Sequence, residues 1–239
     1  MLTALAKGVL RQLGFQLQRV PRSRIFEAAS TGGYVEFGRQ YDVDTIIDVG
    51  VAGGTPWLYE AFDAQNILLV EPLNVVESLH KMLKGRSYEL VECAVGAREG
   101  SAEINYDRTM PSLSSIHVRT KLTAKPDHES IKRSVEVRTL DRVVAESRFR
   151  DSASFGLKID TEGFELNVLK GARDTLTRCR FVVCEVSVEE RFESSYTFSE
   201  LIAFMYSQGF GVKKLLSAKP DRYGLIRYAD ILFEPEAAS

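Results

Sequence analysis

From residue 44 onward, short apolar runs rich in β-branched residues alternate with stretches whose apolar positions recur at helical spacing. The run Thr45-Ile-Ile-Asp-Val-Gly50 predicts a buried strand ending in glycine, followed by a helix over 56–62 and a second strand over 66–71. Leu79, Met82 and Leu83 share one side of a predicted helix at 75–84. A third strand at 88–95, a turn at 96–100 and a short strand at 102–106 come next. After an interruption the pattern predicts a strand at 135–138, a helix at 140–146, a fourth main strand at 155–160 and a helix at 165–177. A fifth strand at 181–185, a helix at 198–208 and an antiparallel pair at 212–216 and 229–233 complete it. Continuous apolar strands separated by helices predict a mostly parallel α/β sheet covered on both faces. At 239 residues the chain suits one such domain with additions.

Two segments break the rhythm. Residues 107–134 are polar, carry Pro111, Pro126, His117 and His128, and read as a long loop, either ordering over a substrate or standing as a solvated insert. Residues 1–43 read as an N-terminal helical extension of a main domain at 44–235. Leu2, Leu5, Val9, Leu10, Leu13 and Leu17 sit at helical spacing there, interrupted by Gly8 and Gly14 and stopped by Pro21. Lys7, Arg11, Arg19, Arg22 and Arg24 make this end basic, with no acid in the first 26 residues. Such a helix either makes peripheral contact with an anionic membrane or a partner, or packs on the domain with its basic edges solvated. It is expected to be dispensable for the fold. It lacks the apolar core of a secretory signal, and no stretch of the chain reaches the roughly 18 apolar residues of a membrane span.

Charge and cysteine usage narrow the classes further. Lys plus Arg number 31 against 33 Asp plus Glu, a net charge of −2 that offers no general pull on nucleic acid. Cys93, Cys179 and Cys184 leave one thiol over under any pairing and lack zinc-site spacing, so they read as reduced core residues of a cytoplasmic protein. With no histidine cluster, no metal is expected. A homo-oligomer is left open.

Three places carry candidate chemistry. Asp48-Val-Gly50-Val-Ala52-Gly53-Gly54-Thr55 lies between a strand and a helix, where glycines let the backbone pass close under a ligand. Read as a dinucleotide turn from Gly50, it fails at Ala52 and Thr55, which disfavours NAD. Asp48, Gly50 and Gly54 instead fit the looser acidic-x-Gly-x-x-x-Gly turn of S-adenosylmethionine enzymes. Glu71, 23 residues past Asp48 at the end of the second strand, is placed to accept hydrogen bonds from both ribose hydroxyls. The third is Leu157-Lys-Ile-Asp160-Thr-Glu162-Gly-Phe-Glu165. Three acids at a strand's carboxyl end repel unless they are hydrogen-bonded, paired or facing a ligand.

The Lys158–Glu165 run, followed by Lys170-Gly-Ala172, resembles the signature of the FkbM family of S-adenosylmethionine-dependent methyltransferases. The resemblance extends over about 44–233. It takes in the Asp48 turn, Glu71-Pro72, Glu92-Cys-Ala-Val-Gly-Ala-Arg-Glu-Gly100, Thr139-Leu-Asp141, Glu185 and the serine-rich stretch Met110–His117. Ala52 departs from the usual Asn or Gly, and Thr55-Pro56 alter the start of the first helix, where proline is tolerated.

The resemblance implies a class I methyltransferase (Rossmann-like) fold, with a seven-stranded mostly parallel sheet whose last strand is antiparallel. It implies S-adenosyl-L-methionine as cofactor and O-methylation of a small-molecule or glycan acceptor, on a sugar or polyketide-type hydroxyl. Cys93 and Ala94 would then lie beside the adenine, with Pro72 next to Glu71. A hydroxyl nucleophile must lose its proton, and Asp160 is the assigned acceptor of it. Glu162 and Glu185 tune Asp160 or bind sugar hydroxyls, and Lys158 offsets the local negative charge. The rival reading is a non-catalytic module of the same fold serving in an assembly.

Overall fold

The computed structural model describes residues 40–62, 65–73, 77–124, 129–221 and 223–236. The basic N-terminal helix, His128 and the start of the helix expected at 75–84 lie outside the described residues.

Seven strands form the main sheet: β1 (Thr45–Val49), β2 (Asn66–Val70), β3 (Tyr88–Val91), β7 (Phe155–Ile159), β8 (Cys179–Ser187), β9 (Phe210–Pro220) and β10 (Ile226–Pro235). Their order is β3-β2-β1-β7-β8-β10-β9. β1 pairs in parallel with β2 and β7, β2 with β3, and β7 with β8, while β10 runs antiparallel to both β8 and β9. Side-chain alternation then sorts the core. Ile47, Val49, Leu157, Ile159 and Cys184 pack on one face against α3 (Leu140–Glu146), α4 (Glu165–Lys170) and α6 (Phe198–Ser207). Ile46, Leu69, Phe181 and Val183 pack on the other with Leu58, Tyr59 and Leu79 of α1 (Pro56–Ala61) and α2 (Glu77–Met82). Val43 is buried and the Tyr41 ring lies tilted against Phe181, so the packing extends to residues before Asp44.

Four expectations change. The third strand is two: β3 stays in the main sheet, while β4 (Ala94–Val95) joins a small sheet of order β4-β6-β5. The supposed loop 107–134 narrows to 108–129, because β5 (Gly100–Asp107) and β6 (Ser130–Arg138) pair as long antiparallel strands. The strand expected at 135–138 is the end of β6; its first part, 130–134, is exposed and polar, so no apolar alternation announced it. It is held by the ladder to β5, by Lys132 Nζ on Glu103 at 2.7 Å and by Arg133 over the Tyr106 ring. The helix expected at 165–177 breaks into α4 and α5 (Arg173–Leu176) at Gly171, where a β-carbon would stand 2.1 Å from the Gly96 carbonyl oxygen. Both strands of the terminal pair are longer than expected.

Cys93, Cys179 and Cys184 are buried and unpaired. Among the described residues no helix is long and apolar enough to cross a membrane.

Candidate active site

A cleft of about 550 Å³ opens at the carboxyl edge of β1, β2, β7 and β8, where ligands bind in open α/β sheets. Its volume is ordinary for a small-molecule site. One wall is the turn after β1, another the ends of β2 and β4, and the floor comes from Lys158 and Asp160 with Glu185, Tyr228 and Asp230. Pro111, Ser112, Ser114–Ile116 and Phe164 also line it.

The β1 turn is shaped by close approach. Gly50 has φ +79°, and a β-carbon there would stand 1.8 Å from the carbonyl oxygen of Asp160, so any side chain would push the two loops apart. Gly54 is also left-handed, at φ +100°, and lines the cleft. Ala52 takes φ +44° without glycine's freedom. Its N–H donates to Glu71 Oε2 at 2.9 Å, while Leu73 N–H donates to Oε1 at 3.0 Å. Burial pushes the Glu71 carboxyl up from its usual range, and these two N–H groups and Lys158 oppose that. A carboxylate has about four lone-pair positions, so two remain on Glu71 for a ligand diol.

Asp48 is corrected by the structure. It is fully buried and does not reach the cleft. Its Oδ2 accepts from Thr55 Oγ1 at 2.8 Å and from the Tyr59 hydroxyl at 2.6 Å, and Lys158 Nζ lies 3.2 Å from Oδ1. Asp48 side chains alternate with Val49 onto the α1 face, which ties helix to strand beneath the turn. It therefore shapes the β1 turn from beneath, outside the cleft lining. The Thr55 hydroxyl is spent on Asp48 and leaves α1 without a side-chain cap.

Lys158 lies at the centre. Its Nζ donates to the Gly50 carbonyl at 3.1 Å and lies 3.7 Å from Asp160 Oδ2. Burial pulls the ammonium down, but Asp48 and Asp160 more than offset this and its pKa ends above the ordinary lysine value. Burial pushes Asp160 up, against Lys158 and with help from Asp230 and Asp48. The acids beyond it are paired. Arg191 donates from Nη1 to Glu185 Oε1 at 2.5 Å and from Nη2 to Glu162 Oε2 at 2.7 Å, and Arg119 Nη2 reaches the same Glu162 oxygen at 3.1 Å. Burial raises both glutamates while Arg191 pulls each back.

Glu165 is the buried clamp of the loop. It accepts from Thr161 N and Gly163 N at 2.9 and 3.0 Å and from the Tyr196 hydroxyl at 2.7 Å. Pro72, Cys93 and Ala94 line the cleft, with burial raising the Cys93 thiol to about 11. Phe62 is in the core, whereas Trp57 reaches the cleft wall. His117 packs near Phe164 beside a separate pocket, and burial lowers its pKa.

Sequence reasoning missed Arg191, Arg119, Tyr228 and Asp230. Arg119 sits in the segment read as a loop, and Arg191 lies between the strand expected at 181–185 and the helix at 198–208, where no element is expected. The others belong to a terminal strand whose insertion next to β8 no local pattern announces.

The strand order, with an antiparallel last strand next to β8, defines a class I methyltransferase fold. The chain matches the Methyltransferase FkbM domain over residues 48–212 and belongs to that family. No curated protein matches it. Similar solved structures include a Burkholderia thailandensis 1,6-didemethyltoxoflavin-N1-methyltransferase with bound 1,6-didemethyltoxoflavin and S-adenosylhomocysteine. It is 10% identical, covers 90% of this chain and 82% of its own, and has a TM-score of 0.48. Another is magnesium protoporphyrin IX methyltransferase of Synechocystis PCC 6803 with bound SAM, 9% identical, covering 98% and 92%, TM-score 0.47. Identity this low says nothing of the acceptor.

S-adenosyl-L-methionine is the methyl donor that goes with this family, and the residues present fit it. The bare backbone at Gly50 and the open lone pairs of Glu71 form a cradle on one side of the cleft.

Proposed function

We propose that this methyltransferase acts on a hydroxyl group of a sugar, glycan or polyketide-type acceptor, with Asp160 as the group that takes the hydroxyl proton. The observation that carries this reading is the setting of Asp160. Its side chain is 37% accessible, at the edge of the cleft, and lies beside Lys158. Its partial burial raises its pKa against the pull of the Lys158 ammonium 3.7 Å away, which makes the carboxylate a stronger base than an ordinary aspartate. When bound, S-adenosyl-L-methionine supplies an activated methyl on a sulfonium. Glu71, Pro72 and the Gly50–Gly54 turn would hold that ligand, and Cys93 and Ala94 would flank it. The segment from Pro111 to Ile116 and Phe164 limit water around the acceptor oxygen. The three buried, unpaired thiols suit a reducing compartment, and the cytoplasm belongs to the same proposal.

Incubation with methyl-labelled S-adenosyl-L-methionine and a panel of glycans tests it, with label expected on oxygen. Label on nitrogen or carbon would refute the acceptor class, and cofactor binding without transfer would favour a binding module. Glu71→Ala is expected to weaken S-adenosyl-L-methionine binding by about 30- to 1000-fold, the loss of two charge-assisted hydrogen bonds. Calorimetry on a folded variant checks this, and an unchanged affinity removes Glu71 from the site.

A further inference from the structure

Arg191 lies in the segment after β8 and is 5% exposed. It does not line the cleft, but three residues it touches do: Glu162, Glu185 and Tyr228. Its two Nη atoms each take one carboxylate, at 2.5 and 2.7 Å, and the guanidinium sits 4.1 Å from the Tyr228 ring centre. A guanidinium is a rigid planar fork, so the two carboxylates are held in a fixed relation to one another.

Each carboxylate uses only one oxygen in this pairing. Among the described residues, Glu162 Oε1 and Glu185 Oε2 accept no hydrogen bond from protein. The side chains keep 13% and 12% of their surface accessible, and both residues line the cleft. Glu162 reaches this place only with a left-handed backbone at φ +51°, a conformation costly for a non-glycine residue. The Ser115 hydroxyl, donating to the Glu162 carbonyl at 2.6 Å, helps hold it there.

We propose that Arg191 is a positioning residue for an acceptor subsite in which Glu162 and Glu185 together recognise two neighbouring hydroxyl groups. This rests on the reading of the cleft as the acceptor site of a methyltransferase. Two carboxylates tied to one guanidinium, each with an oxygen left for a ligand in the same cleft, suit a ligand that offers two donors. A single hydroxyl satisfies one and leaves the other desolvated without a partner, so the subsite rejects mono-alcohols of the same shape. Tyr228, whose ring carries Arg191 on one face, lines the same cleft and adds aromatic surface there. The acceptor class is thereby narrowed to a polyol ring, with the reacting hydroxyl near Asp160 next to a recognised pair.

The test uses the full chain and two matched probes, trans-cyclohexane-1,2-diol and cyclohexanol, with binding followed by saturation-transfer NMR. Both are measured with and without S-adenosylhomocysteine. In the wild type the diol is expected to bind roughly tenfold or more tightly than the mono-alcohol. Glu162→Gln and Glu185→Gln should each bring that ratio close to one with S-adenosylhomocysteine affinity little changed, at a lowered melting temperature, since each leaves Arg191 with one charged partner in place of two. Arg191→Lys keeps the charge but loses the fork, and the ratio should fall there too, since one ammonium cannot align both carboxylates. A merely structural role for Arg191 would lower the melting temperature and leave the ratio intact. Equal binding of the two probes, no diol binding at millimolar concentration, or a ratio that survives both Gln variants would overturn the subsite. Failure of S-adenosylhomocysteine to bind would instead count against the methyltransferase reading, because the probe ratio is read independently of it.

Discussion

Lys158→Met should lower the stability of the folded chain by about 3–5 kcal/mol, the range for removing one partner of a buried ion pair. Asp48 has no exposed surface, and the Lys158 side chain keeps only 8% of its own. Without the ammonium, the Asp48 carboxylate retains two neutral donors, the hydroxyls of Thr55 and Tyr59, which places the loss towards the lower end of that range. The Gly50 carbonyl also loses its donor, at the point where the β1 turn meets the Asp160 loop. Urea unfolding of wild type, Lys158→Met and Lys158→Met with Asp48→Asn measures the effect. The double variant should recover part of the loss, because the stranded charge is gone. A loss below about 1 kcal/mol would show that solvent or a neighbour replaces the ammonium, contrary to its burial.

Asp160→Asn should reduce turnover by about 10²- to 10⁴-fold while S-adenosyl-L-methionine affinity changes little, the magnitude typical of general-base assistance. An alternative, that Asp160 caps the following helix, is excluded by the hydrogen bonds. Phe164 is the N-cap of α4, and Glu165 gathers the free N–H groups of Thr161 and Gly163. Lys158 keeps Asp48 as a partner in the variant, so the melting temperature should stay near that of the wild type. The pH dependence follows from the sign of the shift. Burial raises Asp160, only the ionised form accepts a proton, and activity is lost as pH falls through the raised pKa. The acid limb of the rate profile should thus inflect above the ordinary aspartate range and vanish in Asp160→Asn. Near-normal turnover in a cofactor-binding variant would defeat the assignment.

Much of the site could be read from local pattern because its residues belong to local structure. Gly50 and Gly54 follow a strand, Glu71 ends the next, and the acids at 160, 162 and 165 crowd one strand end. The same pattern misjudged Asp48, whose motif position says nothing about which face of β1 its side chain takes or what lies beneath. It also missed the first half of β6, 130–134, a polar stretch that exists as strand through pairing with β5 and not through burial.

By itself, then, the sequence determined the alternation of strands and helices, the parallel core and the carboxyl edge that gathers the glycine turn, Glu71 and Asp160. Those features follow from side-chain periodicity and from glycine's lack of a β-carbon, both properties of short stretches of chain. Only the tertiary structure decided that Lys158 joins Asp48 to Asp160 and that β10 slips in beside β8 to bring Tyr228 and Asp230 to the cleft. It alone set Arg191 between Glu162 and Glu185. The reason is physical: burial of charge requires partners, and partners 29 and 6 residues away along the chain meet only once the sheet has closed the distance between them.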